Sequence, residues 1–349
     1  MAKGFGGIRS YEFAKALVKN GYDVQVICLF LNSDATGLKG PFKNGKREGI
    51  YEGIKITELK LYYSNYLNLF QRSLVFLRYL VISTKICLVT KHQIVFATST
   101  PLTIVVPALI NKFIKGVPFI FEVRDLWPEL PVSMGLIKNR FLVNILKLIE
   151  NMGYKNAIHC IGLAPGICKE IESRGISKEK ISFIPNFCNL SLFYPSEKKE
   201  KKENYLKKYL KSKIKQNQFI LAFTGAHGLA NGLENILEVA TLLKKRSKDK
   251  IQFLFIGDGA KKPNLISLAN KRMLNNCHFL DPMPKNYLAE FLREVVDVGI
   301  MSLQNNPTFY YGTSPNKFFD YLASGLPIII NYPGWLTDLI ERKKIGIYC

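Results

Sequence analysis

Acidic residues are scarce in this sequence: 27 Asp and Glu face 49 Lys and Arg in 349 residues, a formal net charge of +22. The surface must therefore carry a positive field, and three anionic partners fit it: nucleic acid, an acidic membrane surface or a phosphorylated small molecule. Arginine is scarce as well, with 11 arginines beside 38 lysines, and no RNA- or DNA-binding motif with interleaved aromatics occurs, so no nucleic-acid partner is expected. Asp-x-Asp is absent, which leaves no evident carboxylate pair for a diphosphate-bound Mg²⁺. His92, His159, His227 and His278 lack metal-ligand spacing, and neither a metal ion nor a cofactor is expected. The missing GxGxxG disfavours a nicotinamide dehydrogenase. Seven cysteines, odd in number and never in a CxxC pair, read as buried reduced thiols. The opening Met-Ala-Lys-Gly-Phe-Gly-Gly has no apolar signal core, so the expected location is cytoplasmic. The stretch Gln93 to Asn111 is uncharged, but Pro101, Pro107 and Thr98-Ser99-Thr100 divide it into a strand, a turn and a helix instead of a membrane span.

What the sequence does contain is a regular alternation of helical and strand patterns. A helix over Ile8 to Lys19 stops at Asn20-Gly21, and strands follow at Asp23 to Phe30, Lys55 to Leu61, Gln93 to Ala97, Pro118 to Val123 and Lys180 to Ile184. Helical patterns lie between them at Leu69 to Thr90, Phe141 to Met152 and Gly166 to Ser173. After a Lys/Glu-rich stretch, Glu197 to Lys215, the alternation restarts, with strands at Phe219 to Thr224, Ile251 to Ile256, His278 to Leu280, Asp297 to Met301 and Pro327 to Asn331. Helices are expected near Leu233 to Lys245, Leu265 to Arg272, Lys285 to Glu294 and Pro315 to Ser324. The fold class is α/β: two Rossmann-like, doubly wound domains, residues 1–190 and 191–349, facing a cleft where the strands' carboxyl ends place the site. The chain begins inside a glycine loop that a strand should precede and ends inside a strand. The expectation is that a first strand and C-terminal helices are lacking.

Several loops carry the chemistry. Gly4-Phe5-Gly6-Gly7 runs into a helix with Arg9 in its first turn, an arrangement suited to an anion. Arg124, Asp125 and Glu129, beside Trp127 and Pro128, follow a buried strand at its carboxyl end; the structural alternative is an Arg124–Asp125 surface pair. In Gly312-Thr313-Ser314-Pro315-Asn316-Lys317, Ser314 reads as an N-cap and Pro315 as the first helical residue, so the amides of Asn316 and Lys317 would face a diphosphate. Lys317 adds a full charge, and Asp320, one turn on, can accept hydroxyl hydrogen bonds, as a ribose would offer. The alternative there is a capped helix with a Lys317/Asp320 pair. Gly225-Ala226-His227-Gly228 and Gly257-Asp258-Gly259 resemble the walls of a nucleotide pocket. The pattern Leu69 to Thr90, with Arg72, Arg78 and Lys85, reads either as a core-packed helix or as an amphipathic basic helix on an anionic bilayer.

Taken together, Gly6-Gly7-Ile8-Arg9, Phe121 to Glu129, Ile184-Pro185-Asn186, Gly225 to Gly232, Gly257-Asp258-Gly259 and Ser314 to Asp320 resemble the retaining glycosyltransferase family 4 with the GT-B fold. The similarity is greatest to the bacterial O-antigen and capsule enzymes that act like N-acetyl-L-fucosamine transferases. The resemblance implies an acceptor-binding first domain and a nucleotide-sugar-binding second domain. It implies transfer of a hexosyl or N-acetylhexosaminyl group from a nucleotide sugar, UDP-type by expectation, to a lipid-linked or polysaccharide acceptor; peripheral attachment to the inner face of the plasma membrane is a separate expectation, resting on the basic helix Leu69 to Thr90 and the net charge. The resemblance casts Lys317, Arg124 and Asp125 as catalytic, Gly6, Gly7, Gly225, Gly228, Gly257, Gly259, Ser314, Asn316, Lys317 and Asp320 as nucleotide-sugar ligands, and Glu129 as an acceptor contact. The chain departs from the family pattern in places. The family's Arg and Lys on the first loop of the second domain fall on Ala226 and Asn231, its paired glutamates on Gly312 and Asp320, and its histidine near the reacting sugar on Arg124, which is too basic to act as a general base. No protein nucleophile is evident. A sugar-nucleotide 2-epimerase of the same fold and a non-enzymatic basic nucleic-acid-binding protein are the competing readings; epimerase motifs are not found.

Overall fold

The computed structural model describes residues 9–30, 36–63, 67–194, 202–210, 214–215, 217–246 and 250–349. The glycine loop with Gly6 and Gly7 lies outside them. The chain divides into two compact units, one of residues 1–186 and 307–314, the other of 187–306 and 315–349.

The first unit opens with α1 (Arg9–Lys19), whose Tyr11 and Ala14 pack on Ile54 and Ile56. Three strands follow, β1 (Gln25–Leu29), β2 (Lys46–Tyr51) and β3 (Ile54–Leu59), in the order β1-β3-β2, with β1 parallel and β2 antiparallel to β3. Strand β2 was not anticipated, because Lys46-Arg47-Glu48-Gly49 is polar. The turn into β3 holds positive φ at both Glu52 (49°) and Gly53 (79°), the twist that a two-residue hairpin needs. The chain continues through α2 (Leu69–Val89), β4 (Val95–Thr98), α3 (Val105–Lys115), β5 (Phe119–Val123), α4 (Glu129–Ser133), α5 (Arg140–Asn156), β6 (His159–Gly162), α6 (Pro165–Ser173) and β7 (Ile181–Phe183). The last four strands form a parallel sheet in sequence order. Strand β5 is largely buried and apolar apart from Glu122, with α3 and α5 packed against it, and its carboxyl end delivers the Arg124 loop.

In the second unit, α7 (Lys202–Leu210) forms within the Lys/Glu-rich stretch, burying Tyr205, Leu206 and Leu210. There follow β8 (Phe219–Thr224), α8 (Glu234–Lys245), β9 (Ile251–Ile256), α9 (Lys262–Lys271), β10 (Cys277–Leu280), α10 (Lys285–Val295) and β11 (Val298–Met301). The short α11 (Pro307–Gly312) counts with the first unit; α12 (Asn316–Ala323), β12 (Ile328–Ile330), α13 (Trp335–Lys343) and β13 (Gly346–Tyr348) complete the second. Its six strands are all parallel, in the order β10-β9-β8-β11-β12-β13. Phe223 and Phe255 of the central strands pack against Leu237 and Ala240 of α8 and Leu265 and Ala269 of α9. All seven cysteines are free thiols, but only Cys160 is buried, so the expectation of generally buried thiols is corrected.

Candidate active site

In the second unit the site is built on the carboxyl ends of β8 and β9 and the start of α12. Tyr321 fixes α12 there. Its ring lies buried against Gly299, where a side chain would clash with it, and its hydroxyl accepts from the Thr224 amide at 2.9 Å and reaches the Ala222 carbonyl at 3.1 Å. Lys317 sits one turn earlier on the same helix face. Half-buried, it therefore passes over the end of β8, with Nζ 3.6 Å from the Phe223 ring centroid and Asn231 Oδ1 at 3.5 Å. Among the described residues no carboxylate lies within ion-pair distance of it. Burial without a countercharge pulls its pKa down to about 7.

Gly225 lets this happen: a Cβ there would lie 3.4 Å from Lys317 Cε, and its φ of 124° suits glycine. The loops after β8 and β9 lie backbone to backbone, through Gly225 N to Ile256 O (2.9 Å) and His227 N to Asp258 O (2.8 Å). Side chains at Gly257 and Gly259 would collide with Gly225 O and His227 O respectively. Those two buried glycines thus serve loop packing. Gly228 instead faces open space, and Gly225 is exposed.

His227 is fully buried under its loop, with Phe223, Phe255 and Phe279 around it and, among the described residues, no hydrogen-bond partner on either ring nitrogen. Burial, helped by the nearby Lys262 charge, lowers its pKa to about 4 and keeps it neutral. Lys262 Nζ binds Gly257 O, Leu280 O and Asp281.

Two details of the α12 start differ from expectation. The N-cap position is Pro315, with no side-chain cap, and Ser314 Oγ instead accepts from the Asn186 amide at 2.9 Å while Ser314 O accepts from the Asn186 side chain. Asp320 pairs with Lys285 of α10, not with Lys317. Burial raises the Asp320 pKa and Lys285 opposes the rise; among the described residues the buried Asp320 Oδ1 has no partner. Lys285 escaped the sequence reading, although a lysine in the first turn of a helix, facing the positive dipole end, is out of place without a carboxylate nearby.

In the first unit the Arg124 amide donates to Ser99 Oγ at 2.9 Å, and Thr100 donates to Asp125 at 2.6 Å. No Arg124–Asp125 ion pair forms among the described residues, and none of them partners the Arg124 side chain. Glu129 Oε1 is held by Arg174 at 2.9 Å, together with Glu170 (2.9 Å) and the buried Glu150 (3.6 Å). Arg9, read with the glycine loop as an anion site, is instead consumed inside the fold. It is 2% exposed and bonded to Glu122, Ile184 O and Pro185 O.

Residues 6–192 match the protein family described as Glycosyltransferase Family 4, and residues 206–349 the one described as Glycosyl transferases group 1. The Escherichia coli (strain K12) protein named "Putative colanic acid biosynthesis glycosyl transferase WcaI" is 22% identical over 169 residues, 48% of this chain and 40% of that relative, so the match spans less than half of either. Sucrose-phosphate synthase from Thermosynechococcus elongatus superposes with a TM-score of 0.71 at 15% identity, covering 98% of this chain and 80% of that one. Anabaena HepE in complex with UDP-glucose gives 0.60 at 14% identity, covering 85% and 72%.

Proposed function

The chain belongs to glycosyltransferase family 4, with the GT-B fold its structural likenesses show, and from that premise we propose that it transfers a sugar from a UDP-type donor to a lipid-linked or polysaccharide acceptor. The setting is bacterial surface-glycan synthesis, of which the colanic acid relative is one example. The observation that carries the reading is Lys317, a partly desolvated cation at a helix start with no carboxylate to neutralise it among the described residues. As the anomeric carbon–oxygen bond breaks, its electron pair goes to the diphosphate, and Lys317 with the Asn316 and Lys317 amides offsets that charge. The acceptor hydroxyl oxygen bonds to the anomeric carbon with retention of configuration, as the family resemblance implies, and its proton passes to the departing diphosphate. Asp320 receives the ribose. In the first unit, Arg124 and Asp125 are assigned to the acceptor, Arg124 toward one of its oxygens.

Kinetics of two variants test this. Lys317→Ala should cost on the order of 2 kcal/mol or more in transfer, about thirtyfold in kcat. Asp320→Asn should chiefly raise the donor KM, since a ribose contact is equal before and during reaction. Wild-type turnover by a folded Lys317→Ala protein would put the diphosphate elsewhere.

We also infer a seat on an anionic bilayer, supported by the three helices of the first unit that pack side by side, α3 contacting both α2 and α5. Phe70, Leu74, Leu77 and Val81 form an exposed stripe along α2, and Phe141, Ile145, Leu148 and Met152 form another along α5. The exposed charges of the three helices (Arg78, Lys85, Lys115, Arg140, Lys147 and Lys155) are all basic, and their one acid, Glu150, is buried. A second copy would bring like charges together; anionic headgroups would not. No described helix is long and apolar enough to cross a membrane. The protein should float with anionic liposomes, less so at high salt, and not with neutral ones; failure to bind either would remove the seat while leaving the transfer reading intact.

A further inference from the structure

Asp320 occupies an unusual position for a carboxylate. It is 3% exposed, and among the described residues one of its oxygens has a partner and the other has none. The partner, Lys285, stands 35 residues away in sequence, at the first position of α10, where the helix dipole disfavours a cation. Neither group is comfortable alone. A buried carboxylate tends to take up a proton, and a half-desolvated ammonium at a helix N-terminus lacks any local acceptor. Together they form a neutral pair with one acceptor oxygen unused.

We propose that Lys285 is the positioning residue of the nucleotide subsite: by taking Asp320 Oδ2 it turns Oδ1 toward a ribose hydroxyl of the donor and holds the carboxylate in the charged form that accepts it. The inference rests on the reading of α12 as the nucleoside diphosphate site. Its chemistry is a charge-assisted hydrogen bond, which a protonated carboxyl could not match in strength or direction. The other titratable groups facing Asp320 cannot replace Lys285. The Cys188 thiol is pushed up by burial and by the Asp320 charge, and the Tyr321 phenol is raised by its own burial, so both stay neutral and neither counters the carboxylate. Burial favours protonation of Asp320, and Lys285, by charge and by hydrogen bond, is what works against it. Without Lys285 the carboxyl should titrate at a higher pH.

The test is titration calorimetry of the full chain with UDP and its 2′-deoxy and 3′-deoxy analogues, at several pH values, for wild type, Lys285→Met and Lys285→Arg. Wild type should prefer UDP to at least one deoxy analogue by about tenfold, independently of pH between 6 and 8.5. Lys285→Met should lose most of that preference at pH 6 and regain part of it as rising pH ionises Asp320, and Lys285→Arg should restore it throughout. Melting curves identify a variant that fails to fold, and Lys285→Gln then supplies the same comparison. A folded Lys285→Met or Lys285→Gln protein with the full, pH-independent preference overturns the proposal while leaving the nucleotide site in place. Failure of the wild type to bind UDP, GDP, ADP, CDP or dTDP overturns the underlying reading and this inference with it.

Discussion

Two cations near helix starts, Arg9 in the first unit and Lys317 in the second, look alike in sequence and differ in what surrounds them. Arg9 meets Glu122 at 2.8 Å and two backbone carbonyls, while Glu122 also accepts from Thr98 at 2.6 Å. Its charge is neutralised and its donors are spent, so it ties the start of α1 to β5 and to Ile184-Pro185. Among the described residues, Lys317 is offered only an aromatic face and one amide oxygen at 3.5 Å. The difference teaches that a buried charge with a full set of partners maintains the fold, whereas one left short is held ready for a charge that arrives from outside.

The largest expected effect breaks the paired case. Arg9→Met strands Glu122 in the interior and should cost about 3–5 kcal/mol of stability, read from urea unfolding; a loss under 1 kcal/mol would mean that the pair is not structural. Glu150, in the Arg174 network, comes next. Burial, with the Glu129 charge, raises its pKa to about 7, so the native state binds its proton more tightly than the unfolded chain. Its favourable contribution is complete below the ordinary carboxylate range and is lost as pH rises toward 7. Glu150→Gln should therefore gain on wild type across that interval by on the order of 2 kcal/mol, measured by denaturation at pH 4.5 and 7.5. The smallest effect is a slope. Because free Lys317 titrates near pH 7, UDP affinity should fall by up to about tenfold per pH unit above that, and Lys317→Arg should abolish the fall because a guanidinium stays charged. A flat wild-type profile would show that Lys317 is charged before the ligand arrives.

Much of the frame was legible in the sequence. Strands β8 and β9 fall where their apolar runs end against turn residues, and the loop after β8 is the one that meets α12, at Lys317. Strand β2 was illegible because a half-exposed hairpin strand carries no apolar period, and α7 because lysines mask the buried Tyr205, Leu206 and Leu210. At the site, Lys317 and Asp320 were readable as residues, but their partners were not. Ser314 gives up its cap to bind Asn186 across 128 residues, and Lys285 reaches Asp320 across 35. Local propensity is blind to such contacts, which the order of strands in the sheet creates.

The central claim, that Lys317 is kept short of partners for a diphosphate, is tested most directly by melting wild type and Lys317→Met with and without saturating UDP. The variant, relieved of a desolvated charge, should melt no lower than wild type in the absence of ligand and lose the shift that UDP gives the wild type. A variant that melts several degrees lower on its own and still gains the full UDP shift would contradict it.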